Sequence, residues 1–198
     1  MDLCLDCKGC KGDCPVNVDI ATLKSEFLSH YYEKNQRPAS AFAFGWINWW
    51  LRLASVIPGF VNFVTHAPFL KNILKSSVGV TQKRTIPSFA QQTFRNWFGN
   101  QQKRNTDKPK VILWVDTWNN FFKPETLVAA LEVLEVAGFQ VIISQRVICC
   151  GRPLYDFGML DKAKEMLLQI LDTLRDEIRA GTPVVGLEPS CVSVFRDE

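Results

Sequence analysis

Four cysteines within the first fourteen residues constrain this chain more than any other feature. Cys4, Cys7, Cys10 and Cys14, followed by Pro15, are spaced C-x2-C-x2-C-x3-C-P. A segment that brings four thiols so close must wrap back on itself, so it cannot be a plain strand or a long regular helix. Three more cysteines, Cys149, Cys150 and Cys191, raise the total to seven, an odd number that no closed set of disulfides can use up. The N-terminal stretch also carries Asp2, Asp6 and Lys8, where a secretory signal would need an apolar core of about 7–15 residues. Without export the thiols stay reduced, and clustered cysteines then read as metal ligands or redox centres. With only two histidines, His30 and His66, a His-rich metal site is excluded and little remains for a His-dependent nucleophile relay.

The spacing is that of bacterial ferredoxin-type runs that hold [4Fe-4S] clusters. It lets a short loop send successive thiolates to different irons while backbone N–H groups turn toward the sulfides, and Pro15 directs the fourth cysteine away. Zinc is the main alternative. Zinc ribbons, however, pair two C-x2-C knuckles across a longer insert, whereas three cysteines within seven residues crowd one side of a single ion. Lys8 and Lys11 are offset by Asp6 and Asp13, so no cluster potential follows from local charge. In two-cluster proteins the fourth cysteine serves the other cluster. No second run is present, so the alternatives are a one-cluster site or an incomplete chain, and whether Cys14 joins Cys4, Cys7 and Cys10 stays open.

At 198 residues, 47% apolar and 22% charged, the chain fits one ordinary globular domain or two small ones. A formal charge of +3 is too small to argue for nucleic acid. Three zones follow one another: residues 1–37, with the cysteine run and a helix; 38–108, an aromatic-rich helical linker; and 109–198, with alternating strand and helix patterns. In the first zone Asp19 is the expected N-cap of a helix that ends before Pro38. Its one-sided apolar residues are Ile20, Leu23, Phe27, Leu28, Tyr31 and Tyr32.

In the second zone, residues 39–70 hold Trp46, Trp49, Trp50, Phe60 and Phe63 with a single full charge, Arg52. A spanning helix needs about 20 apolar residues in a row, and Pro58-Gly59, Asn62, His66 and Pro68 interrupt this one. Two or three short helices packed on each other or on a neighbouring domain are expected, with an interfacial amphipathic helix as the alternative. Gly99 to Lys110, polar and carrying Pro109, reads as a linker.

From Val111 the pattern predicts a βαβαβ unit. Val111–Val115, Val141–Ile143 and Val184–Leu187 are the strands, and Pro124–Ala137 and Leu160–Ala180 the helices, closed by Gly138 and Gly181. Such apolar strands imply a parallel sheet covered on both faces, with ligands beyond the carboxyl ends of its strands. Asp116, either a site residue or a helix cap, lies on that edge with Cys149, Cys150 and Cys191. Their alternative reading is as small buried hydrophobes.

The segment Met1-Asp2-Leu3-Cys4-Leu5-Asp6-Cys7-Lys8-Gly9-Cys10-Lys11, with Cys14-Pro15-Val16 and Val18-Asp19, resembles one oxidoreductase family over essentially the whole chain. These are FAD-dependent 2-hydroxyacid dehydrogenases of the D-2-hydroxyglutarate or D-lactate type. They are related to the iron-sulfur subunits of glycolate oxidase and anaerobic glycerol-3-phosphate dehydrogenase. Cys149-Cys150-Gly151-Arg152-Pro153-Leu154 and Glu188-Pro189-Ser190-Cys191 are similar to the CCG cysteine-rich domain shared with heterodisulfide reductase. The resemblance implies an α/β fold: a ferredoxin-like [4Fe-4S] segment, a helical linker and half of a CCG domain. It also implies that Cys149, Cys150 and Cys191 hold a second iron-sulfur centre, with Gly151 letting the backbone approach it and Ser190-Cys191 opening a helix.

The family's flavin domain, its upstream cysteine run and the second CCG half are not in this sequence. A fragment of a longer protein, or a truncated product with Met1 an internal methionine, is the expectation. The function implied is electron transfer from reduced flavin, in an FAD-containing dehydrogenase domain or subunit, to a quinone or carrier protein. FAD belongs to the upstream part, no substrate chemistry is expected in this segment alone, and no nucleic acid partner is implied. The implied location is cytoplasmic, with the inner face of the membrane as the alternative. The competing readings are a zinc-binding or cluster-free interaction module and a non-functional remnant.

Overall fold

The computed structural model describes residue 4 and residues 6–197. Met1, Asp2, Leu3 and Leu5 of the N-terminal resemblance, and Glu198, lie outside the described residues. A one-turn helix, α1 (Gly9–Asp13), is followed by α2 (Ile20–Lys34), whose N-cap Asp19 accepts from the Thr22 backbone N–H at 3.0 Å. The aromatic zone forms four short helices: α3 (Ala39–Gly45), α4 (Ile47–Ala54), α5 (Pro58–His66) and α6 (Pro68–Ser77). Pro58 and Pro68 sit in the first turns of α5 and α6, where the missing N–H costs nothing. Among the described residues, no helix is long and apolar enough to cross a membrane.

After α7 (Phe94–Gly99) come β1 (Lys110–Trp114), α8 (Thr117–Phe122), α9 (Pro124–Val136) and β2 (Gln140–Ile142). The chain ends with α10 (Arg152–Asp156), α11 (Leu160–Arg179), β3 (Val184–Gly186) and α12 (Pro189–Asp197). The strands form a parallel sheet in the order β2-β1-β3, with Val111 opposite Val141 and Ile112 opposite Val184. Side chains alternate across a strand, and β1 feeds two cores accordingly. Ile112 and Trp114 pack with Ile170 and Leu174 of α11 and Val194 of α12. Val111, Leu113 and Val115 pack with Phe94 of α7 and Leu127 and Leu131 of α9. The expected two-sided cover of the sheet is observed. Gly138 and Gly181, at φ +87° and +73°, end α9 and α11 in the left-handed conformation glycine adopts without steric cost.

One expectation is corrected. The predicted apolar face of α2 is largely solvent-facing: Leu23, Phe27 and Tyr31 are about half exposed, while Ala21 and Ser25 are buried. The small face wins because backbone packs against it. A Cβ placed on Gly158, at φ +66°, would lie 2.5 Å from Ser29 N and 2.7 Å from Leu28 C. Arg37, just past the helix, donates to the carbonyls of Phe157 at 2.5 Å and Gly158 at 3.0 Å. Helix α3 approaches the same region through Ala41 and Gly45, against Leu154 and Met159.

Candidate functional site

The carboxyl ends of the strands open on a cavity of about 480 Å³. Its walls include Cys149, Cys150 and Cys191, the charged side chains Arg152 and Glu188, and Cys7 from the N-terminal run. Beyond β1, Asp116 caps α8 by accepting from the Asn119 backbone N–H at 2.9 Å and from its side-chain amide at 2.8 Å. With both carboxylate oxygens so engaged, Asp116 reads as the cap. Its neighbour Thr117 donates to Cys149 Sγ at 3.6 Å.

Beyond β2, a loop delivers the two adjacent cysteines, both buried. Beyond β3, Cys191 lies in the first turn of α12, as expected for Ser190-Cys191, with its N–H bonded to Glu188 O. Its Sγ is 3.3 Å from Cys150 Sγ. The hydrogen bond shared with Cys150, followed by burial, pushes the Cys149 thiol well above its usual pKa. At Cys150 the bond with Cys149 acts downward and is outweighed by the bond with Cys191 and by burial, so this thiol too is raised. Without metal, the buried pair is therefore held as neutral thiols.

Gly151 has φ +79°, and a Cβ there would meet Ala163 O and Met166 Cβ at 3.3 Å. The structure thus gives this glycine a packing reason on the α11 side.

The N-terminal run forms a loop in which Asp6, Lys8 and Asn17 have positive φ, conformations that turn the chain sharply. Cys10 lies in α1, and Cys14 N–H closes it on Cys10 O at 3.0 Å. The backbone N–H groups of Val18, Val16 and Asn17 favour the Cys14 thiolate and lower its pKa despite slight desolvation. All seven cysteines are free thiols. Among the described residues, no three Cys, His, Asp or Glu side chains are grouped to hold a single metal ion.

The donors nevertheless fit an iron-sulfur group. They are soft thiols, and a cube takes its thiolates on different irons, so its ligands stand farther apart than those of one ion. Two thiolates on one tetrahedral ion, with bonds of about 2.3 Å, lie about 3.8 Å apart. Cys150 and Cys191 would need to separate by only a few tenths of an ångström to share one. Trp114 supplies a second sign. Its buried indole N–H has no acceptor among the described residues, and the ring packs in the same core as the three thiols.

Sequence reasoning overlooked what joins the two cysteine sets. The Arg152 guanidinium donates to Asp6 O, to Ser193 Oγ at 3.0 Å and to Asp156 Oδ1 at 2.7 Å. Lys24 of α2 binds Asp6 Oδ2 at 2.6 Å and Cys4 O at 3.1 Å. The signal was an arginine directly after Cys149-Cys150-Gly151, whose five donors suit the bridging of a carbonyl, a hydroxyl and a carboxylate.

Residues 117–196 match the family model described as CCG, cysteine-rich domain. Curated relatives extend the likeness beyond it. A D-2-hydroxyglutarate dehydrogenase of Pseudomonas putida is 25% identical over 98% of this chain and 20% of its own length. One of the anaerobic glycerol-3-phosphate dehydrogenase subunits of Escherichia coli is 26% identical over 70% of this chain and 35% of its own. Lactate utilization protein A of Bacillus cytotoxicus is 31% identical over 44% and 35%, respectively. The chain thus spans about a fifth of the length of the dehydrogenase it resembles. No solved structure matches significantly. The matched stretch begins at α8 and carries the three buried cysteines, while Cys7 reaches their cavity from outside the matched residues.

Proposed function

We propose that this chain is the iron-sulfur electron-transfer segment of an FAD-linked 2-hydroxyacid dehydrogenase, carrying electrons from reduced flavin toward an acceptor. One observation supports this above the others: Cys7 lines the same cavity as Cys149, Cys150 and Cys191. In this reading Cys4, Cys7, Cys10 and Cys14 of residues 1–37 hold a [4Fe-4S] cluster, and the three CCG cysteines in residues 109–198 hold a second centre. Iron-sulfur groups exchange electrons at potentials set by charge, hydrogen bonds and exposure.

The remaining side chains orient and tune. Arg152 fixes the N-terminal loop on the sheet edge and brings positive charge to a thiolate-rich cavity. Thr117 donates to Cys149, and the first turn of α12 places Cys191 beside Cys150. Trp114 brings into the same core an N–H donor that no acceptor among the described residues engages. The names of the dehydrogenase relatives and the α/β edge support the redox role, and the flavin-bearing part would lie in the remainder of such a protein.

The test is anaerobic reconstitution of the full chain with iron and sulfide. A brown product absorbing broadly near roughly 400 nm, with about four irons for the N-terminal site, is expected. Cys7→Ser should abolish that cluster's spectrum, and Cys191→Ser should leave it largely intact. Colourless protein carrying one zinc overturns the proposal, and equal loss from both variants overturns the two-site division.

A further inference from the structure

A second cavity adjoins the first. It measures about 770 Å³, within the range of about 300–1,000 Å³ typical of small-molecule sites. Its lining is almost wholly apolar and includes Trp50, Leu51, Phe89 and Phe122. Ile47 and Trp118 line both this cavity and the one holding the cysteines. Two side chains thus belong at once to the thiol site and to the apolar site. Trp118 stacks on Phe122, with centroids 5.7 Å apart and planes at 24°.

One charged residue in the lining is buried: Lys75 is 3% exposed, and its ammonium donates to the carbonyls of Gln82 and Arg84. An ammonium has three donors, and among the described residues these carbonyls take two.

We infer that this cavity binds a lipophilic quinone, whose ring stacks between Trp50 and Trp118 and whose carbonyl accepts from Lys75. The inference rests on the electron-transfer reading and names its acceptor. Flat aromatic walls suit a planar ring, the apolar volume suits a short isoprenoid tail, and the shared wall sets the ring next to the thiol cavity. Reduction of the quinone to the quinol takes two electrons, from the dehydrogenase's reduced flavin, and two protons from solvent. Binding requires neither.

Binding is measured on the cluster-free full chain, so it fails independently of iron uptake. Decylubiquinone is titrated against tryptophan fluorescence. Saturable quenching is expected, with most of the amplitude lost in Trp50→Phe/Trp118→Phe and an unchanged constant in Trp97→Phe. Ala54→Phe, which fills the cavity, should weaken binding about tenfold or more, with the far-ultraviolet dichroism unchanged. Lys75→Met should weaken the quinone about tenfold while leaving the tail-only control, decanol, unaffected.

Non-saturable quenching, an unchanged constant in Ala54→Phe, or decanoic acid binding more tightly than the quinone overturns the inference. So does protection of Trp50 and Trp118 by an added flavoprotein segment with no quinone binding, which would make the face a domain contact.

Discussion

The guanidinium of Arg152 donates to the backbone carbonyl of Asp6, 146 residues away in sequence. The loop bearing Cys4 to Cys14 is thereby tied to the carboxyl edge of the sheet by a buried charged donor.

Hydrogen bonds to charged groups contribute about 1.5–3 kcal/mol. Arg152→Gln should therefore raise local opening of the loop by about 10–100-fold. Hydrogen exchange at residues 6–14 measures this, and unchanged exchange there would show that Lys24 alone holds the loop.

Gly158→Ala should be among the most disruptive single-methyl substitutions. The added carbon would meet the backbone of Ser29 and Leu28 at 2.5 and 2.7 Å, at a φ of +66°. Overpacking costs about 1–3 kcal/mol, which for a chain of this size lowers Tm by about 2–12 °C. Gly79→Ala, also at positive φ but with nothing within 4 Å, isolates the backbone cost.

Asp19 caps α2, and Asp19→Ala should cost about 1 kcal/mol. Burial raises its pKa, but the Thr22 hydrogen bonds and the charges of Lys8 and Lys11 outweigh this and leave it lowered. A carboxylate lowered in the folded state stabilises above its unfolded pKa of about 3.9, and that contribution is lost as pH falls through the folded value. The stability gap between wild type and Asp19→Ala should therefore be full near neutrality and close below about pH 4. Denaturant titrations at several pH values measure it.

Cys150 and Cys191, with sulfurs 3.3 Å apart, should be the first thiols to pair when metal-free protein is oxidised. A disulfide needs about 2.05 Å, a small closure. Diamide would accept the two electrons and two protons released. Peptide mapping should find this crosslink in Cys149→Ser and not in Cys191→Ser, and prior reconstitution should block it.

Much of the α/β unit was legible because its signals are local. The β1 run Val111–Val115, the Asp19 and Asp116 caps and the glycines after α9 and α11 each carry their meaning within a few residues. Helix α8, with the sequence Thr-Trp-Asn-Asn-Phe-Phe, was not singled out, since one and a half turns show no periodicity. The buried face of α2 was misread because a neighbouring backbone, through Gly158, selects Ala21 and Ser25 over larger residues nearby. The placement of Cys7 beside Cys149, Cys150 and Cys191 depends on the long-range contact between Arg152 and Asp6, which spacing cannot encode. The four helices of the aromatic zone were expected as two or three. They leave Trp49, Phe60, Phe63 and Phe69 at least half exposed.

Helix α2 is pinned at both ends, by Arg37 on the Phe157 and Gly158 carbonyls and by Lys24 on the loop before it, and it lies flush on Gly158 between them. It works as a splint. The separation of the two thiol sets is then set by the flush backbone contact at Gly158 together with the Arg37, Lys24 and Arg152 side chains that clamp main-chain carbonyls on either side of it. Because tunnelling decays exponentially with distance, such bracing would keep the hop between groups held there steady through thermal motion.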